Sequence, residues 1–127
     1  MPVRSLSSSV LAWPDQRTVD RAVREWVTAM AQSHPDLLRA GYFGSYARGN
    51  WGVGSDLDLV AVVQESGEPF ERRAMSWDPS GLPVPADLLV YTAQEWREMQ
   101  AQGGRFAQTL AQETVWVYSL DKEVPFQ

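Results

Sequence analysis

The feature that most constrains the fold is an apolar run of seven residues, Leu57–Val63, interrupted by a single carboxylate, Asp58. A run of this length is typical of a β-strand, and apolar residues at both odd and even positions predict that both faces of the strand are buried. A strand of this kind needs helices or other layers on both sides of its sheet. The chain is therefore expected to build a layered α/β structure around this strand.

Helical and strand-like segments alternate along the rest of the chain. Asp15 can cap the first helix, and Thr92 with Glu95 has the spacing of a capping box. Cap signals and apolar periodicity predict helices over 17–32, 45–48, 93–102 and 105–112, a turn of helix within 69–75, and strands over 37–43, 56–64, 84–91 and 114–120. This order predicts an α/β fold in a single domain, 1–127.

Composition narrows the classes of function that are open to the chain. Its 127 residues include no cysteine, which excludes disulfides, thiolate metal sites and a cysteine nucleophile. The net charge of −5 leaves no basic surface for an extended nucleic acid, although a divalent cation could still bring in a nucleotide. No apolar run is long enough to span a membrane, and residues 1–12 have the composition of a flexible arm and not of a signal peptide, so we expect a cytoplasmic protein.

Two carboxylates stand at the start of the buried strand, where charge is unusual. Asp56 and Asp58 are two residues apart, so on a strand they point to the same face. Carboxylates this close repel each other unless a cation lies between them, and Mg²⁺ prefers such oxygens. A third ligand is expected from a neighbouring strand. Asp87 is the candidate, because its competitor Glu65 lies roughly 23 Å further along an extended strand.

A turn that suits a phosphate precedes the carboxylate pair. Gly44 and Ser45 stand where a strand is followed by a short helix, and the free N–H groups of a helix start favour an anion. Glycine allows close approach of the backbone, and the serine adds a hydroxyl donor. Arg48 follows one turn later and could reach a terminal phosphate or pair with an acid. Together these residues predict a polyphosphate site beside the metal.

Each of these features also has a purely structural interpretation. An Asp-x-Asp at a strand start can be a solvated turn, Gly44 can belong to an ordinary helix cap, and Asp87 can be an ion-pair partner. His34 is expected to end a helix and not to bind a ligand. Trp51, in the loop between the two motifs, is the one tryptophan that we expect to stack on a base. The combination of turn, carboxylate pair and third acid, each at the end of a strand, favours a catalytic site.

The spacing of these motifs resembles that of a known family. Gly44-Ser45, ten intervening residues and then Asp56-Leu57-Asp58 is similar to the signature of minimal nucleotidyltransferases, stand-alone members of the DNA polymerase beta-like nucleotidyltransferase superfamily. The fuller forms Gly-Ser-Tyr-Ala-Arg-Gly and Ser-Asp-Leu-Asp-Leu are also typical of these enzymes. The resemblance covers residues 37–118, and it implies the polymerase beta-like fold, with a mixed sheet of about four strands flanked by helices.

The resemblance also implies roles for the site residues. Three aspartates would hold two Mg²⁺ ions, and the glycine–serine turn with its arginine would bind the triphosphate of ATP. These residues are Asp56, Asp58 and Asp87 for metal binding and catalysis, and Gly44, Ser45 and Arg48 for the nucleotide. The implied reaction moves AMP from ATP to an acceptor hydroxyl and releases pyrophosphate, with Asp87 as the candidate to take the acceptor's proton.

Small members of this family act as antitoxins beside a HEPN-domain toxin, to which they transfer AMP on a tyrosine. The resemblance therefore implies such a toxin as the partner in trans. The toxin's own Arg-x4-His-x-Tyr pattern is absent from this chain, because its only histidine, His34, has no tyrosine two positions later.

Two alternatives to this function remain open. One is nucleotidyl transfer to a small molecule such as an antibiotic, which in relatives needs an additional acceptor domain for which 127 residues leave little room. The other is a domain that neutralises its partner by contact, without catalysis. Aromatic groups near Trp77, Trp96 and Trp116 are expected to offer a surface to such a partner.

Overall fold

The computed structural model describes residues 13–120, and the expected N-terminal arm, 1–12, lies outside this range. The helices are α1 (Gln16–Ser33), α2 (Ser45–Arg48), α3 (Phe70–Arg73), α4 (Ala93–Gln102) and α5 (Arg105–Glu113), and the strands are β1 (Leu37–Phe43), β2 (Leu57–Val63), β3 (Ala86–Thr92) and β4 (Val115–Ser119). Every predicted helix and strand is present, with ends that differ from the prediction by at most two residues. Within 13–120, no helix is long and apolar enough to cross a membrane.

The strands form one mixed sheet in the order β3-β2-β1-β4. Strand β1 pairs antiparallel with both β2 and β4, whereas β2 and β3 run parallel. A parallel pair needs a long crossover, and here it consists of residues 64–85, which contain α3 and two short 3₁₀ turns, Ala74–Ser76 and Pro79–Gly81. The expected mixed sheet of four strands flanked by helices is confirmed, and β2 is an interior strand.

The side chains of β2 contribute to both halves of the core. The odd-numbered residues of 57–63 belong to a large apolar cluster that includes the buried side chains of α1. Val60 and Val62 point to the other face, where they pack with Trp96 of α4 and Leu110 of α5. The strand is therefore buried on both faces, as its apolar run predicted.

Helix α1 covers the larger of these two clusters. It begins after Asp15, whose side chain accepts a hydrogen bond from the Thr18 N–H at 2.9 Å. It ends at His34, whose backbone N–H donates to the Met30 carbonyl, so His34 is the helix terminator that the sequence predicted. Its buried stripe consists of Val19, Val23, Trp26 and Val27.

Two of the tryptophans that were expected to border a partner surface lie inside the protein. Trp77 packs on α1, where its ring stacks on His34 at 4.0 Å and lies 6.0 Å from the Trp26 ring. Trp96 belongs to the smaller core cluster. Because only 5% of Trp77 and 4% of Trp96 are exposed, that expectation is wrong for both residues.

Candidate active site

The predicted carboxylates gather at one end of the sheet. Asp58 is the second residue of β2 and lies opposite Asp87 in the parallel ladder between β2 and β3. Paired residues of a ladder point to the same face, so the two side chains are neighbours. Asp56 comes just before β2, and its charge acts on Asp58 together with that of Asp87. The structure thus places the three aspartates that the sequence singled out at the same end of the sheet.

Asp58 is the most covered of the three, and its carboxyl pKa is raised. Removal of water from the charged form is the largest cause, and the negative charges of Asp87 and Asp56 add to it. Arg48 acts in the opposite direction, whereas Glu113 raises the pKa further. A cation among these carboxylates would relieve their repulsion, which is the electrostatic property expected of a metal site.

The glycine–serine turn passes directly beside Asp58. Strand β1 ends at Phe43, which pairs with Asp58 across the antiparallel ladder, and Gly44 follows immediately. Gly44 has φ +81° and ψ −153°, a conformation that essentially only glycine adopts. A Cβ atom at this position would also overlap Oδ2 of Asp58. Two separate constraints therefore require glycine here, and the two halves of the motif meet at this point.

Arg48 pairs with an acid, which was one of the two possibilities open for it. Its Nη1 donates to Oε1 of Glu113 at 3.2 Å, and the same oxygen accepts the Gly44 N–H at 3.1 Å. The motifs did not identify Glu113, which is the last residue of α5. A carboxylate at the C-terminal end of a helix faces the partial negative charge of the helix dipole. That unfavourable position is the signal by which the sequence could have revealed this residue.

The two remaining candidates from the sequence lie in different surroundings. Trp51 stacks on the buried ring of Tyr46 at 5.7 Å and packs against the larger core cluster, so one of its faces is covered by protein. Glu65 follows the far end of β2, where with Arg73 and Glu95 it lines an open, polar pocket of about 550 Å³. Asp58 lies at the opposite end of that strand, and the structure therefore favours Asp87 over Glu65 as the third acid.

The acidic side chains of residues 13–120 do not already converge as three ligands on one point. Carboxylates that have no cation between them repel each other, so an open arrangement is expected. Asp56 and Asp87 are exposed and can turn toward Asp58 without unpacking the core. Carboxylate oxygens are the ligands that Mg²⁺ prefers in proteins. The donor set therefore has the chemistry of a divalent-cation site, which Asp56, Asp58 and Asp87 would form.

A mixed sheet that carries acids at the start of an interior strand, with a glycine turn against them, matches one class of enzyme. Residues 23–117 match the family model of the nucleotidyltransferase domain, a range that is most of the chain. The chain belongs to the nucleotidyltransferase domain family, and it is a nucleotidyltransferase. No curated protein matches the sequence.

Several solved structures share this fold. A protein from Sulfolobus solfataricus, provisionally named a nucleotidyltransferase, superposes with a TM-score of 0.61 at 21% identity, covering 84% of this chain and 86% of that chain. A chain of a toxin–antitoxin complex with AMP-PNP has a TM-score of 0.55 at 16% identity, covering 79% and 76%. A chain of a mutant MntA–HpeT toxin–antitoxin complex has a TM-score of 0.53 at 13% identity, covering 79% and 75%. At these identities the likeness shows the fold alone.

Proposed function

We propose that this nucleotidyltransferase moves AMP from ATP to a tyrosine hydroxyl of a HEPN-domain toxin, and that it is the antitoxin of that pair. Membership of the nucleotidyltransferase family supports the transfer reaction. The similarity to chains of toxin–antitoxin complexes, one of which was solved with AMP-PNP, supports a protein partner and ATP as the donor. Both proteins of the pair would act in the cytoplasm.

The observation that carries this proposal is the place of Asp58 between Gly44 and Asp87. Gly44 lies against the carboxylate on the β1 side, and Asp87 lies opposite it on the β3 side. A nucleotide whose outer phosphates rest on the turn would present its α-phosphorus near Asp58. An acceptor would then approach from the side of Asp87. An in-line displacement needs the outer phosphates and the acceptor on opposite sides of the α-phosphorus, because the entering and leaving oxygens lie on opposite sides of that atom.

On the β1 side, the glycine–serine turn and Arg48 would bind the triphosphate. Gly44 has no side chain to keep a phosphate away, and Ser45, the first residue of α2, offers a hydroxyl and a backbone N–H. Arg48 has 47% of its side chain exposed, and a guanidinium carries five N–H donors, of which the Glu113 contact takes one. Donors therefore remain for phosphate oxygens.

On the β3 side, Asp87 would receive the acceptor hydroxyl. Strand β3 is at the edge of the sheet and the Asp87 side chain is exposed, so a protein surface can reach it without opening the core. The Asp87 carboxylate would accept a hydrogen bond from the hydroxyl and take its proton as the oxygen attacks the α-phosphorus. The bond to the β-phosphate then breaks, and pyrophosphate leaves on the side of the turn.

Asp56, Asp58 and Asp87 would together hold two Mg²⁺ ions. When bound, the metal would lower the pKa of the attacking hydroxyl and neutralise the charge of the triphosphate. The mutant MntA–HpeT complex has glutamate in place of two aspartates that are separated by one residue, the spacing of Asp56 and Asp58. This shared spacing supports the assignment of the first two acids.

Transfer of a labelled phosphate tests this function. The purified chain is incubated with Mg²⁺, the toxin encoded by the neighbouring gene, and ATP labelled on the α-phosphate. We expect label on a toxin tyrosine, located by peptide mapping, and no label from ATP labelled on the γ-phosphate, because that phosphate leaves with pyrophosphate. Asp58→Asn is expected to lower the transfer rate by roughly 10³-fold or more. Asp36→Asn is the control, because Asp36 is exposed and lies just before β1, at the opposite end of that strand from Asp58.

Two outcomes would contradict the proposal in different ways. Tight binding of the toxin with no transfer of label would mean that the chain neutralises its partner by contact. Label on a small hydroxyl compound, with none on the toxin, would mean that the acceptor is a small molecule.

A further inference from the structure

Glu113 is a charged residue of the site for which the motifs give no role. Its side chain is 23% exposed, and its Oε1 atom accepts hydrogen bonds from the Gly44 N–H at 3.1 Å and from Arg48 Nη1 at 3.2 Å. These donors stand at the two ends of the segment 44–48, which consists of the turn and α2. One carboxylate oxygen therefore joins both ends of this segment to the end of α5.

The position of Glu113 is electrostatically unfavourable. It is the last residue of α5, where the helix dipole disfavours a carboxylate. Its charge also acts on Asp58, which already has the charges of Asp56 and Asp87 nearby and that of Arg48 as the opposing cation. A residue that breaks a local rule in this way, and yet has defined partners in a site, indicates a functional requirement.

We propose that Glu113 is a positioning residue that holds the Gly44 turn and the Arg48 guanidinium where they receive the triphosphate, an inference that rests on the proposed function. Glu113 does not touch the substrate in this account, and most of its effect on nucleotide binding is transmitted through Arg48. An arginine side chain loses much rotational freedom when it binds a phosphate. A partner that orders it in advance lowers this entropy loss and thereby strengthens nucleotide binding.

The test measures the dissociation constant for AMP-PNP with Mg²⁺ by calorimetry, and kcat in the toxin-labelling assay at saturating ATP. Glu113→Ala is expected to raise the dissociation constant roughly tenfold, the size of one charge-assisted hydrogen bond, and to change kcat by less than about threefold. Glu113→Gln retains an oxygen acceptor for both donors and is expected to bind AMP-PNP within about threefold of the wild type. Gln112→Ala, on the adjacent exposed residue, is the matched control and is expected to bind like the wild type.

A double-mutant cycle separates positioning from a purely structural role. If Glu113 acts through Arg48, Glu113→Ala added to Arg48→Ala should weaken binding by less than about threefold beyond Arg48→Ala alone. Thermal unfolding of each variant checks that it is folded under the conditions in which its dissociation constant is measured. If Glu113→Ala folds poorly, the glutamine variant decides the question alone, because a folded Glu113→Gln that binds AMP-PNP more than about tenfold more weakly than the wild type would exclude positioning by an oxygen acceptor.

Several results would overturn this inference. Folded Glu113→Ala that binds AMP-PNP as tightly as the wild type, or more tightly because a negative charge has been removed, would exclude positioning. Effects of Glu113→Ala and Arg48→Ala that simply add would exclude action through the arginine. A wild-type protein that does not bind AMP-PNP at all would instead overturn the proposed function, and this inference with it.

Discussion

Asp58 occupies a position that an interior strand ordinarily fills with an apolar side chain. Its neighbour Leu57 and the next valine, Val60, are completely buried, and Leu59 is almost fully buried. Asp58 itself faces Asp87 across the parallel ladder, so two like charges stand directly opposite each other. Like charges at such positions destabilise a sheet, which means that the residue costs stability in the metal-free protein. This local conflict is the pattern expected where function overrides stability.

Asp58→Asn is therefore expected to leave the metal-free protein as stable as the wild type or up to about 1 kcal/mol more stable. Because the folded pKa of Asp58 is raised, the folded state binds its proton more tightly than the unfolded state does. The stability from this group is therefore present in acid and is lost as the pH rises through the raised pKa. The advantage of the asparagine variant should be largest at neutral pH and disappear in acid, as measured by urea denaturation in EDTA.

The control for that measurement is Asp36→Asn, which removes an exposed carboxylate beyond the far end of the sheet. This variant should not show the pH-dependent gain in stability that is expected of Asp58→Asn. A loss of several kcal/mol in Asp58→Asn without metal would show that Asp58 is a structural ion-pair member, and would contradict its assignment as a metal ligand.

At the scale of secondary-structure elements, the joint between β3 and α4 fixes the strand that carries Asp87. Thr92 and Glu95 form the predicted capping box, with the Glu95 N–H donating to the threonine hydroxyl at 3.1 Å and the Thr92 N–H donating to the glutamate at 2.9 Å. Arg73 of α3 adds two hydrogen bonds to the same carboxylate, at 2.6 and 3.0 Å, and a third to the Val90 carbonyl at 3.1 Å. The crossover helix, the edge strand and α4 are thus held at one joint.

Glu95→Gln is expected to lower the free energy of unfolding by about 1 kcal/mol at neutral pH, because glutamine retains the cap but loses the charge that pairs with Arg73. The Arg73 guanidinium is the main cause that lowers the pKa of Glu95 to about 2, from an ordinary value of 4.5. A lowered folded pKa means that the stability from this group is present above pH 4.5 and is lost as the pH falls towards about 2. The difference between wild type and variant in urea denaturation should therefore shrink across that range.

The control for this prediction is Glu98→Gln, one turn further along the exposed side of α4. It should have a much smaller effect at neutral pH, because Glu98 accepts a hydrogen bond from Gln94 and not from an arginine. If the free energies of unfolding of the wild type and Glu95→Gln differ by a constant amount from pH 7 to pH 2, the ion pair of Arg73 with Glu95 is not what stabilises this joint.

At the scale of the whole molecule, local patterns predicted the elements, whereas contacts between distant residues could not be read from them. Periodicity and caps placed the helices and strands, since 3.6-residue and 2-residue repeats are local properties of the chain. The opposition of Asp58 and Asp87 depends on the register of a parallel pair, which a slip of one residue would abolish. The contact of Arg48 with Glu113 joins residues 65 positions apart and follows no local pattern.

Burial of large aromatic side chains was the other property that the sequence did not predict. Trp77 and Trp96 were expected near a partner surface, but each is enclosed by elements from distant parts of the chain. Tryptophan suits both cores and interfaces, so its identity alone does not distinguish the two. Tertiary packing decides between them.

The binding of Mn²⁺ in the presence of AMP-PNP tests the central claim most directly, because the loss of free Mn²⁺ is read from its electron paramagnetic resonance signal without any acceptor protein. The account predicts that the wild type binds Mn²⁺ and that Asp87→Asn weakens this binding by roughly tenfold or more, since one carboxylate ligand is lost. Glu65→Gln, which changes the competing acid at the far end of β2, should bind like the wild type. Binding that survives Asp87→Asn, or that is lost in Glu65→Gln, would contradict a metal site made of the three aspartates.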